Sequence, residues 1–142
     1  MGLDMYLTAS KYFYDEEEGS EAKEIAEIMK TKRKAKSVSF DAMYWRKANW
    51  IHGWFVENVQ RGEDDCKPYE LEREKLEKLI TTCRIALERK DPDLLPTVDG
   101  CFFGGTEEDE WYWESIQKTA DELTQVLEDF PHPYYFTYQS SW

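Results

Sequence analysis

The stretch YWRKANWIHGWFVENVQ, residues 44–60, restricts the possible folds more than any other part of the chain. Projected as a helix from Trp45 to Gln60 at about 100° per residue, it places Ala48, Trp50, Ile51, His52, Trp54, Phe55, Val56 and Val59 over roughly two thirds of the circumference. A helix that rests on a core with one face shows a narrower apolar stripe. The spacing therefore predicts a central helix touched from several sides, with Ile51, Phe55 and Val59 nearly fully buried.

The other arc of that helix holds Arg46, Asn49, Gly53, Glu57 and Gln60. Gly53 costs about 1 kcal/mol relative to Ala in a helix interior. Its place one turn from Asn49 reads either as room for another backbone or as room for a ligand. Lys47 falls on the apolar arc, where its stem snorkels to water or meets a carboxylate. His52 stands at the arc's edge, as a hydrogen-bonded core residue or as part of a site. The expectation is that Arg46, Asn49 and His52 border a concavity shared with residues 62–66 or 100–113.

Strands and further helices follow from period and punctuation. DMYLTASKYFY (residues 4–14) alternates Met5, Leu7 and Ala9 against Asp4, Tyr6, Thr8 and Ser10, the period of a half-buried strand. SVSFDAMYW (37–45) reads as a second strand paired with it. Between them, residues 15–36 form a charged excursion, with Ile25, Ile28 and Met29 as a possible short amphipathic helix. Residues 72–90 carry Leu76, Leu79, Ile80, Cys83, Ala86 and Leu87 on one helical stripe. A third helix is expected over 107–129, capped by Thr106, with Asp109 three positions on as in a capping box. Its buried stripe is Tyr112, Ile116, Ala120, Leu123, Leu127 and Phe130. YYFTYQSSW closes the chain as a last strand. The expected fold is α+β: one domain of 142 residues, a small and mainly antiparallel sheet of two N-terminal strands and one C-terminal strand, packed in two layers against about three helices.

Charge and cysteine usage bound the function. The chain carries 18 Lys and Arg against 30 Asp and Glu, a net −12, which disfavours direct binding to nucleic acid. The acidity reads as solubility, as a basic partner or as mimicry of nucleic-acid charge. The three cysteines, Cys66, Cys83 and Cys101, are too widely spaced for a C-x-x-C site and read as reduced thiols. Neither a basic leader nor an apolar run of membrane length is evident, so a soluble cytoplasmic protein is expected, with no membrane association.

Motifs for catalysis are sparse. GEDDC (62–66) places Asp64 and Asp65 in a turn, a pattern more often solvated than cation-binding. GCFFGGTEEDEWYW (100–113) puts glycines before a helix, but the acids Glu107 to Glu110 would repel a phosphate there. Trp111 lies off the buried stripe, exposed or lining a pocket. G-x-S-x-G, H-E-x-x-H and H-x-E signatures do not occur. The conceivable catalytic elements are His52 with Asp64 or Asp65, and a Cys66–His52 dyad whose members nothing in the sequence places together. No cofactor is implied.

Taken together, GLDMYL, YWRKAN, IHGWFVENVQ, DDC, LLPTVDGCFFGGTEEDEWY and YQSSW resemble a family of small phage, prophage and bacterial proteins. The match spans most of the chain outside 14–36. It implies a phage setting and supplies no activity. The residues in those segments that nominate a shared site are Trp45, Arg46, Asn49, His52, Trp54, Asp64, Asp65, Phe103, Thr106, Asp109 and Tyr112, to which Trp111 is added. The expected function is a small acidic binding or inhibitor protein acting on a host defence component. It would occlude a basic nucleic-acid-binding surface, or hold a nucleotide-like ligand in an aromatic and Arg-lined pocket. The alternative is a small hydrolytic enzyme using His52 with Asp64 or Asp65, with or without a metal.

Overall fold

A computed structural model describes residues 2–14 and 19–142. In chain order the elements are β1 (Asp4–Tyr12), α1 (Gly19–Ile28), β2 (Ser37–Arg46), α2 (Asn49–Asn58), β3 (Tyr69–Leu71), α3 (Arg73–Arg89), a short 3-10 turn (Pro92–Leu94), α4 (Glu110–Asp129) and β4 (Tyr135–Ser141). The strands make one open antiparallel sheet in the order β2–β1–β4–β3. The α+β architecture is the expected one, with β3 as an additional edge strand too short to announce itself by alternation.

Period two sets the sheet's faces. Met5 lies opposite Trp45 and Ser140, and Leu7 opposite Met43 and Tyr138. These side chains form the buried face, while Tyr6 and its cross-strand neighbour Tyr44 look outward and are exposed. On the buried face Phe55 of α2 stacks on Tyr138 with ring centroids 3.8 Å apart, and Trp45 meets the edge of Phe55 at 5.7 Å. Six consecutive-turn residues of α2 are buried, on several sides of its axis, which makes it the central helix. Helices α3 and α4 pair beside it through Leu76, Leu79, Cys83 and Ala86 on one and Tyr112, Ile116, Ala120 and Leu123 on the other, all fully buried.

Four local expectations are corrected. Helix α2 begins at Asn49, because Tyr44, Trp45 and Arg46 are held in β2 by pairing with Tyr6, Met5 and Asp4. Lys47 then turns the chain with a left-handed backbone (φ 56°), its N–H donating to the Leu3 carbonyl at 2.8 Å. Lys47 is thus an exposed corner residue and not part of the helical arc. Val59 follows the end of α2 and is only half-buried, unlike Ile51 and Phe55. Helix α4 is capped by Asp109 and not by Thr106: the Asp109 carboxylate accepts the Tyr112 N–H at 3.0 Å, satisfying one of the helix's free donors. In α1 the buried residues are Ala22 and Ala26, whereas Ile28 is 76% and Met29 is 69% exposed. Small residues let that short helix lie close, and the long apolar ones face solvent. Beyond those alanines, the described residues of 21–36 are exposed or half-buried.

Candidate functional site

Two concavities lie near Trp50, which lines the first and contacts Ser115 and Trp111 of the second. Its indole N–H donates to Ser115 at 2.9 Å, and its ring meets Trp111 and Tyr112 edge-on at 5.1 and 4.9 Å. The first is a cleft of about 440 Å³ between α2 and residues 94–98, walled by Trp50, Trp54, Val56, Leu94, Pro96 and Val98 and reaching His52 and Asp64. The second is a groove of about 480 Å³ between the end of β2 and α4, which includes Tyr44, Trp45, Arg46, Lys47, Trp111 and Lys118.

Asn49 shapes the cleft without entering it. Its side-chain amide donates to the carbonyls of Phe103 and Gly105 at 3.2 and 2.9 Å, and its carbonyl accepts the Val98 N–H at 2.8 Å. Both N–H groups and the oxygen are thereby committed inside the protein, and the residue is fully buried. Asn49 ties the 98–105 segment to the central helix and has no donor left for a ligand. Gly53 has a matching role. A Cβ there would stand 2.7 Å from the Val98 side chain, so the missing side chain admits the opposite wall of the cleft.

His52 is 1% exposed, hydrogen-bonded at Nδ1 and approached by Asp64 at Nε2. Nδ1 lies 2.6 Å from the Tyr138 hydroxyl. Burial pushes the Tyr138 phenol well above its usual range, so the hydroxyl keeps its proton, and with no other acceptor among the described residues it donates that proton to Nδ1. That assigns the imidazole proton to Nε2. Asp64 Oδ1 sits 3.0 Å from Nε2, but off the N–H axis, so the contact is close without being an aligned hydrogen bond. The same Oδ1 accepts the Trp142 indole N–H at 3.0 Å. Burial lowers the His52 pKa, and the Asp64 carboxylate opposes this only in part. The ring is therefore neutral at pH 7.

The remaining nominated residues divide among other duties. Asp65 is engaged elsewhere than at His52: it accepts the Lys67 backbone N–H at 3.1 Å and the Tyr69 hydroxyl at 2.9 Å, and its Oδ2 lies 3.0 Å from Lys67 Nζ. Trp45 is buried, its indole donating to Thr119 at 3.0 Å. Phe103 is buried against the edge of the His52 ring at 5.5 Å and touches Trp142 at 5.9 Å. Tyr112 is fully buried and donates its hydroxyl to the Leu95 carbonyl at 2.8 Å, which holds the cleft's far wall. Thr106 is exposed, and Asp109 is spent on the α4 cap. Trp54 is nearly buried and lines the cleft, and Trp111 is 47% exposed at the groove.

The sequence grouped Arg46, Asn49 and His52 around one concavity, and the structure separates them. Arg46 lies in the groove, His52 reaches the cleft, and Asn49 lies within the fold. The strand-to-helix corner at Lys47 causes the separation. Sequence reasoning missed Lys118, the 94–98 wall, Tyr138 and Trp142. Lys118 stands seven residues after Trp111 on α4, and that shared helical face was the available signal.

The groove is locally basic. Arg46, Lys47 and Lys118 line it against a single lining carboxylate, Glu114. Arg46 Nε lies 3.9 Å from Asp4 and Lys118 Nζ lies 3.5 Å from Glu122, while Lys47 makes no ion pair with the described residues. Among the described residues no three His, Cys, Asp or Glu side chains are grouped to hold a metal, and no helix is long and apolar enough to cross a membrane. Compared with protein-family models, curated proteins and solved structures, the chain matches none.

Proposed function

We propose that this is a phage-type binding protein that acts on a host defence component by holding a nucleotide-like ligand in the Arg46–Trp111 groove. One observation carries the reading: on a chain of net −12, three cations converge around an exposed tryptophan. Guanidinium and ammonium groups suit phosphate oxygens, and an exposed indole offers a stacking face for a base. Lys47 has no competing carboxylate among the described residues and is the readiest phosphate contact. The acidic remainder of the surface repels anions at long range, but screening confines that effect to about 8 Å at physiological salt.

The test is titration with ATP, GTP and their cyclic monophosphates, read by quenching of tryptophan fluorescence. At least one should quench, with affinity falling as salt rises, and Arg46→Ala with Lys47→Ala should weaken it about tenfold or more while the melting temperature stays within a few degrees. If none quenches, or the double variant binds as well as the native protein, the groove is not a nucleotide site. Net charge alone supports the other arrangement, occlusion of a basic surface on a host protein. A salt-sensitive capture of a nucleic-acid-binding protein from host lysate, unchanged by the double variant, would favour it.

The hydrolytic alternative gains its His52–Asp64 contact, yet Nδ1 accepts the Tyr138 hydroxyl proton and Nε2 carries the ring proton, so neither nitrogen is free to take one. A general base needs a free nitrogen within reach of its substrate, which favours binding over turnover.

A further inference from the structure

The cleft lined by Trp50 has a chemistry of its own. Its walls are mostly apolar: Trp54, Val56, Leu94 and Val98 line about 440 Å³, with Glu57 and Asn58 the further polar lining residues besides His52 and Asp64. At one end stand His52 and Asp64. His52 Nε2 is buried without an aligned hydrogen-bond partner among the described residues. An orphaned buried donor forfeits its hydration without return, and a native structure that carries one calls for an explanation. Gln60 Oε1 and Ser140 Oγ are in the same state, but neither residue lines the cleft.

The hydrogen-bonding roles of the pair follow from their neighbours. Tyr138 donates to Nδ1 and has no other acceptor among the described residues, so Nε2 carries the ring proton and is a donor. Asp64 Oδ1 already accepts from Trp142, while Oδ2 accepts nothing from the described residues and is an open acceptor. A donor and an acceptor thus stand side by side at the end of an apolar slot. A carboxylate head brings only acceptors and is repelled by Asp64. An ammonium head brings only donors and leaves Nε2–H unsatisfied. A neutral hydroxyl does both: it accepts from Nε2–H and donates to the carboxylate.

We infer that the cleft binds a small, mostly apolar molecule through a hydroxyl group held between His52 and Asp64, with the apolar body between Trp54 and Val98. This site is independent of the nucleotide groove. Each can fail without the other.

The probes are 2-naphthol, naphthalene and 2-naphthoate, with binding followed by NMR shifts of the His52 ring and of the Trp54 indole. The native protein should bind 2-naphthol at least tenfold more tightly than naphthalene, shifting both sets of resonances, and should not bind 2-naphthoate measurably. Asp64→Ala should reduce 2-naphthol to the affinity of naphthalene and leave naphthalene unchanged. Equal affinity for naphthol and naphthalene in the native protein would overturn the inference, and so would binding of neither. Because that ratio is measured on the unaltered chain, the inference stands or falls even where Asp64→Ala proves unstable. If Asp64→Ala weakens both probes equally, Asp64 shapes the slot and does not read the hydroxyl, which equally overturns it.

Discussion

The cleft, lined by Trp50, and the groove, lined by its neighbours Trp111 and Ser115, are built from different material. The cleft's walls are continuous with the core: Gly53 admits Val98, Asn49 pins the Val98 N–H, and Tyr112 holds Leu95. The groove is lined mainly by side chains that solvent already reaches, with Tyr44 50% and Trp111 47% exposed and the Arg46 and Lys118 side chains largely exposed too. The difference teaches what can vary cheaply. Altering the groove changes surface charge, which costs little stability. Altering the cleft disturbs packing or orphans buried polar groups, which costs more.

The largest expected effect tests the core beneath the cleft. Phe55 is fully buried, stacks on Tyr138 and meets Trp45 and Trp54 edge-on. Phe55→Ala should cost about 3–5 kcal/mol in urea denaturation. A loss below about 1 kcal/mol would mean that α2 is not the structural centre. Next comes Asn49→Ala, which leaves the Val98 N–H and two carbonyls without a protein partner. At about 1–3 kcal/mol for an orphaned buried group, a total near 3 kcal/mol is expected. The cleft should lose 2-naphthol with it, since its Val98 wall is released. By contrast, Arg46→Ala should leave both the denaturation midpoint and naphthol binding as they were. If Arg46→Ala destabilised the fold as much as Asn49→Ala, the distinction between the two concavities would be gone.

The same distinction explains what was legible in the sequence. Periodicity exposed β1, β2, α3, α4 and β4, because alternation and 3.6-residue spacing are local consequences of having one buried face. It also identified Phe55 and Ile51 as core. The corner at Lys47 was not legible: a strand rich in Trp and Tyr runs into a helix equally rich in Trp, and composition carries no boundary between them. A lysine with φ 56° is an uncommon break that no glycine or proline announces. That one corner moved Arg46 to a different concavity from His52. The partners of His52 were hidden for another reason. Tyr138 lies 86 positions away, brought to the ring by β4 pairing with β1 beneath α2, and Trp142 reaches Asp64 across 78 positions. Contacts at such separations are set by topology, which a local pattern does not encode. The pairing of His52 with Asp64 was anticipated, but Asp65 was offered with equal standing, and only the turn's geometry directs it to Lys67 and Tyr69.

The smallest effect concerns pH and again separates the two regions. His52 is neutral in the fold because burial lowers its pKa, against the partial opposition of Asp64; the groups facing the ring are Asp64 and the protonated Tyr138 hydroxyl. In the unfolded chain a histidine titrates near 6.5. Below that pH the unfolded chain binds a proton that the folded chain binds only at lower pH, so acid favours unfolding. The stability due to neutral His52 is therefore complete above about pH 6.5 and declines as pH falls from there toward the lowered folded value. Thermal melts of the native protein between pH 7.5 and 5.5 should show a falling midpoint. His52→Gln, less stable at pH 7.5, should show a flatter curve over the same window, because the carboxylates common to both proteins titrate mostly below it. Arg46→Ala, altered only in the groove, should follow the native curve. Parallel slopes for native and His52→Gln would show that His52 takes up its proton in the fold as readily as in the open chain, and that burial does not hold it neutral.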